Sequence, residues 1–232
     1  MIAVTFALPA ESSEFLRRLG NRSRTDRNGI SIDRGTIADR SIEVIHTGVG
    51  ENICRERIAK FLENQQFDLL ISAGFAGSLN DELQVNDLLV AKNFSTVDLK
   101  HAQSSLANVS INAVNMLTVP ALIDSSEERE RTAHESGASA VDMETEFIAR
   151  ACVAHGVPLL ALRVTTDTPT QPFPAPPSVL FDIQQQRTQI AVLARFFLAH
   201  PKRVPGLVQF ARRIARARNI LANALVAIVD KL

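Results

Sequence analysis

Short runs of Val, Ile and Leu recur along this chain and alternate with longer stretches of helical periodicity, which restricts it to a layered α/β architecture with a largely parallel sheet. Ile2–Leu8 reads as a first strand, ended by Pro9. Ile30–Thr36 and Ile42–Thr47 flank the turn-like Ala38-Asp39-Arg40 and read as a hairpin. Asp68–Ala73 is almost continuously apolar, as a strand covered on both faces must be. Val85–Ala91, Ala138–Met143 and Leu159–Thr165 read as further strands. Helical patterns follow Thr47-Gly48-Val49-Gly50 as far as Gln66, and then Ser125-Ser126-Glu127-Glu128, an N-cap signature, as far as Glu135. Another runs from Glu144 to His155, stopped by Gly156 and Pro158. Ile183–Ala199 and Leu207–Val229 are read as the last two helices. Pro169–Pro177 holds five prolines in nine residues and must be a loop. Ser95–Asn115 has no clear period and is read as loop with room for a strand.

Composition narrows the function. With 46% hydrophobic and 22% charged residues, the chain has the balance of an ordinary globular protein. Twenty-five Lys+Arg against 25 Asp+Glu, with no Trp or Tyr, argue against a nucleic-acid binder. Two cysteines, Cys54 and Cys152, make no disulfide framework and favour a reducing compartment. Met1–Ala10 lacks a basic segment and contains Pro9, so it does not read as a secretory signal, and the expected location is the cytoplasm. His46, His101, His134, His155 and His200 show no ligand spacing, so no metal and no cofactor are expected. The neutral total hides a split, with nine basic residues and one acid from Ile183 onward.

In open α/β sheets, ligands sit at the carboxyl ends of strands. Glu11, the Gly74–Gly77 segment, Asp142-Met143-Glu144 and Asp167 all fall at strand ends. Taken singly, each has a plain structural explanation. Glu11 and Glu144 suit a helix first turn, Asp167 suits a turn before Pro169, and Gly74 and Gly77 relieve crowding. Their convergence is what points to an enzyme site.

The segments Phe6-Ala7-Leu8-Pro9-Ala10-Glu11, Thr47-Gly48-Val49-Gly50, Ser72–Leu79, Val85–Val90, Val141-Asp142-Met143-Glu144 and Arg163–Asp167 carry a resemblance. In order and spacing they resemble the nucleoside phosphorylase/nucleosidase superfamily, whose best-known nucleosidase branch cleaves methylthioadenosine and S-adenosylhomocysteine. The resemblance implies a three-layer α/β/α fold with a mixed, largely parallel sheet. It also implies cleavage of the bond between a ribose and a purine. By that resemblance Glu144 grips the ribose hydroxyls with Met143 against the sugar, and Asp167 protonates the departing purine. Ala76 and Gly77 line the pocket, with Phe75 and Asp142 also placed at the substrate. Glu11 activates the attacking water. A homodimer is expected on the same ground.

Two departures separate the chain from phosphate-using relatives. An acid, Glu11, stands where those enzymes carry a phosphate loop with an arginine, and Phe75 replaces a hydroxyl residue. Water is therefore the expected nucleophile, with phosphorolysis and a catalytically idle nucleoside binder as the rival readings. Phe75 also departs from the serine of the methylthioadenosine branch, which leaves the 5′ substituent open.

Residues 1–200 are read as the catalytic domain and 201–232 as a basic amphipathic helical extension of it. Leu207, Phe210, Ile214, Leu221, Leu225 and Ile228 share one face, with Arg212, Arg213 and Arg216 opposite. Such a helix either lies on an anionic membrane or packs on the domain or a dimer partner, and periodicity does not separate these. The tail also resembles that of the hopanoid-associated phosphorylase branch, which implies a lipid-linked adenosyl substrate such as adenosylhopane.

Overall fold

A computed structural model of the chain describes residues 1–98 and 110–231. His101 and most of Ser95–Asn115 lie outside the described residues. The strands are β1 (Ile2–Phe6), β2 (Gly20–Arg27), β3 (Ile30–Ile37), β4 (Arg40–His46), β5 (Leu69–Ser78), β6 (Leu88–Ala91), β7 (Ile111–Val114), β8 (Met116–Thr118), β9 (Ala140–Asp142) and β10 (Leu159–Asp167). The described helices are α1 (Pro9–Leu16), α2 (Glu51–Leu62), α3 (Ser126–Ser136), α4 (Thr145–His155), α5 (Pro177–Leu180), α6 (Ile190–Ala199) and α7 (Val204–Lys231). The strands join one sheet in the order β2-β3-β4-β1-β5-β10-β6-β7, with β9 on β5 and β8 on β9. The central run β4-β1-β5-β10 is parallel, while β2-β3-β4 is an antiparallel meander and β6 runs against β10. The expected three-layer, mixed and largely parallel architecture is borne out.

The continuous apolar runs follow from burial on both faces. Along β1, Ile2, Val4 and Phe6 enter one core with Phe15 of α1, while Ala3 enters another with Ile58 and Phe61 of α2 and Ile148 of α4. On β10, Leu160, Leu162 and Val164 join the first core and Leu159 the second. Successive side chains of a strand point to opposite faces, so both sets are apolar over most of these strands, and the buried polar residues, Arg163 and Asp167 of β10 among them, gather toward the carboxyl end of β10.

Helix α7 completes the first layer. Ala217, Leu221, Ala222, Ala224, Leu225, Ile228 and Val229 are buried in the core that holds β1 and β10. This half of the helix is an integral layer, and its apolar face is spent on the domain. Arg213 is not simply solvated, since its Nη1 donates to the Gln171 carbonyl at 3.2 Å and ties the helix to the proline-rich loop.

Several boundaries differ from the sequence reading. β5 runs through Ser78, so Gly74–Gly77 lie inside the strand and not beyond it. β10 extends to Asp167 because its register continues against Ala76 and Gly77 of β5. Ile183–Gln186 is a turn closed by an Asp182–Arg187 bridge, and the helix begins only at Ile190. β2 has no counterpart in the sequence reading. Its sequence, GNRSRTDR, is polar because the strand is largely exposed. Its arginines are held by acids buried on the neighbouring strands: Arg22 and Arg24 reach Asp33, and Arg27 reaches Glu43.

Candidate functional site

The site lies where β1, β5, β9 and β10 end together. After β1 the chain turns directly into α1, placing Glu11 in its first turn. Glu11 Oε2 accepts from the backbone N–H groups of Ala7 (2.9 Å) and Leu8 (3.1 Å). Burial pushes its carboxyl above the ordinary range, opposed by these N–H groups and by Arg163.

Glu144 sits at the N-cap of α4 and is buried, with Oε1 accepting from the Gly50 N–H at 2.9 Å. Gly50 has φ +88°, a conformation in which a side chain is strained, and that turn aims its N–H at the carboxylate. Burial, followed by the nearby charge of Asp142, pushes the Glu144 carboxyl up to about 8.

Asp142 lines the cleft, but its oxygens are occupied by protein. Arg163 donates to Oδ2 from Nε (3.0 Å) and Nη2 (2.9 Å), Thr118 donates to Oδ1 (2.9 Å), and Thr145 caps it through both N–H and hydroxyl. Its place is behind Glu144, orienting the start of α4. Arg163, 3% exposed, also donates to the Ser72 carbonyl and hydroxyl.

Asp167 closes β10 and is buried. Its Oδ2 accepts from Arg129 Nη2 at 2.5 Å and its Oδ1 from the Thr166 hydroxyl at 3.0 Å. Burial raises its carboxyl and Arg129 opposes the rise. Gly77 leaves room for this arrangement, because a Cβ there would lie 2.8 Å from Asp167 Oδ2 and 3.3 Å from Arg129 Nη1.

Two spaces meet these groups. A cleft of about 270 Å³ is bordered by Glu11, Glu144 and Asp167, with Phe75, Ala76, Gly77 and Met143 among its walls. All eight residues expected from the sequence therefore border one cleft. Beyond Asp167 its wall is apolar, formed by Phe173, Leu180, Phe181, Ile183, Phe210 and Ile214. Beside it lies a cavity of about 10 Å³, the size of one water, against Glu11, Phe75, Glu144 and Arg163.

Four contributors, Arg163, Arg129, Phe173 and Phe210, were not expected at the site from the sequence. Arg163 left a trace, as a charge that interrupts the apolar run Leu159–Val164. Arg129 left none, because it sits in a helix of charged residues, SEERERTAHES. Phe173 and Phe210 meet edge-to-face at 5.8 Å through packing between segments distant in sequence.

Comparison with known proteins agrees with this fold. The family profile described as Phosphorylase superfamily matches residues 101–199. The 5′-methylthioadenosine/S-adenosylhomocysteine nucleosidase of Streptococcus pneumoniae, solved with a transition-state inhibitor, is similar at TM-score 0.73 and 19% identity over 99% of this chain and 98% of that one. The corresponding Campylobacter jejuni nucleosidase gives 0.74 and 19%, over 100% and 99%. Futalosine hydrolase of Helicobacter pylori gives 0.74 and 19%, over 100% and 97%. The chain thus has the nucleoside phosphorylase/nucleosidase fold along its length, and the resemblance read from its motifs is borne out.

Proposed function

We propose that this protein hydrolyses the N-glycosidic bond of a purine nucleoside, with adenine as the leaving base. The observation that carries the choice of water is the cavity of about 10 Å³ against Glu11, Glu144 and Arg163. It accommodates one water, and the acids that border it, Glu11 and Glu144, disfavour a phosphate anion there.

The C1′–N bond breaks as positive charge builds on the ribose. Glu144, as a carboxylate, accepts from the ribose hydroxyls and offsets that charge. Asp167 gives its proton to the departing base, avoiding a purine anion. Glu11 takes a proton from the water whose oxygen joins C1′. One water is consumed, and free base and ribose leave.

The apolar wall from Phe173 to Ile214 supports a hydrophobic 5′ substituent, as on a lipid-linked adenosyl nucleoside such as adenosylhopane. The similar structures described as methylthioadenosine/S-adenosylhomocysteine nucleosidases and futalosine hydrolase support the reaction class. A homodimer remains part of this reading and is checked by light scattering. No described helix is long and apolar enough to cross a membrane. Membrane contact is better placed on α6 than on the buried half of α7. Ile190 and Leu198 stand two turns apart at 77% and 83% exposure, and no acid lies between Ile183 and Val229.

Base release from adenosine, methylthioadenosine, S-adenosylhomocysteine, inosine and 5′-alkyl adenosines, with and without phosphate, tests the proposal. Release without phosphate, lost in Asp167→Asn, is expected. Release that requires phosphate makes the protein a phosphorylase. No release from any substrate, adenosylhopane included, makes it an idle binder.

A further inference from the structure

Helix α3 buries a single residue, and that residue is an arginine. The helix is otherwise polar and exposed, capped at its start by the Ser125 hydroxyl and closed by Gly137. Arg129 is 1% exposed and makes three contacts at its tip: Nη1 to the Ser78 carbonyl (2.5 Å), Nη2 to the Ile123 carbonyl (2.7 Å) and Nη2 to Asp167 Oδ2 (2.5 Å). Its Nε has no hydrogen-bond partner among the described residues. A buried guanidinium with an unmatched N–H is destabilising, and a hydrophobic residue would anchor this helix more cheaply.

The guanidinium is always charged, so it occupies one oxygen of the very carboxyl that must carry a proton in the reaction. Oδ1, which among the described residues accepts from the Thr166 hydroxyl alone, is left for that proton.

We propose that Arg129 is a positioning residue for the cleavage. It fixes the Asp167 carboxyl by one oxygen so that the proton sits on the other, and it stabilises the carboxylate formed as the base departs. This deepens the nucleosidase reading and rests on it. The charged neighbours are few. Asp124 opposes Arg129 from the segment before α3, and Glu11, Asp142 and Glu144 border the same cleft. With Arg129 present Asp167 is a stronger acid, and it loses its proton at lower pH than it would alone. Removing the arginine therefore has two linked effects: the alkaline limb of the pH profile moves up, and the maximum falls because the acid is weaker.

The test uses the full chain and two substrates. Purine release needs a proton on the leaving group, whereas nitrophenolate leaves a nitrophenyl riboside without one. Arg129→Met is expected to move the alkaline limb of purine release up by about one pH unit and lower its maximum about tenfold. Nitrophenyl riboside hydrolysis should stay within about threefold of wild type, since each 1.36 kcal/mol of barrier is tenfold and no proton is at stake there. Arg129→Lys, a single point donor, should move the limb less. A limb unmoved in Arg129→Met, with nitrophenyl riboside hydrolysis retained, overturns the proposal. If Arg129→Met loses both activities through misfolding, the limb in Arg129→Lys decides in the same way. Purine release by the wild-type chain that requires phosphate, or no release from any nucleoside, overturns the nucleosidase reading instead, a separate and distinguishable failure, and purine release untouched in Asp167→Asn overturns the proposal for Arg129.

Discussion

Three carboxyls, the buried Glu144 and Asp167 and the half-buried Glu11, are all pushed upward by desolvation within one cleft. For Glu144, pushed up to about 8 by burial and Asp142, ribose binding asks for the opposite state, because two hydroxyl donors need an acceptor. Nucleoside binding near pH 7 is therefore expected to release a proton from Glu144. Calorimetry in buffers of different ionisation enthalpy reads that release, and Glu144→Gln should abolish it. The same residue makes a stability prediction. Its folded-state value lies above its unfolded one, so its contribution is favourable at acid pH and is lost as pH rises from about 4 to about 8. Glu144→Gln should consequently be inactive yet more stable at pH 8 by about 1 kcal/mol, measured by urea unfolding. A variant less stable than wild type at that pH contradicts the burial argument. At Gly77, alanine would push a Cβ to 2.8 Å from Asp167 Oδ2, with Arg129 packed alongside. Gly77→Ala should cost about 1–3 kcal/mol and most of the purine release.

At the scale of elements, α7 and α6 behave differently although both carry apolar faces. The buried half of α7 is a core layer, and Leu225→Ala there should cost about 2–5 kcal/mol by denaturant unfolding. Ile190 and Leu198 of α6 face solvent, so Ile190→Asp with Leu198→Asp should leave the unfolding midpoint unchanged while abolishing co-sedimentation with anionic vesicles. Vesicle binding that survives the double change would remove α6 as the contact. The difference between these helices was not legible in periodicity, which reports that a face is apolar but not what covers it. β2 was illegible for the converse reason. Its arginines satisfy acids on β3 and β4, so a strand whose partners are ionic carries no alternating apolar pattern. The parallel core strands were legible because burial on both faces writes an unbroken apolar run.

Across the whole molecule, the sheet brings groups separated by more than 150 residues, Glu11 and Asp167, to one cleft. The acids were legible because their motifs stand at strand ends in a recognisable order. The arginines that set their properties were less so: Arg163 and Arg129 act through tertiary contacts, and only Arg163, in an apolar strand, breaks a local pattern. In the proposed reaction water, seated against Glu11, attacks the ribose. Running the reaction in isotopically heavy water and weighing the released sugar tests it most directly. One heavy oxygen is expected in the sugar with phosphate present or absent, and loss of the product in Glu11→Gln. A sugar phosphate, formed only when phosphate is supplied and carrying no solvent oxygen, would contradict it.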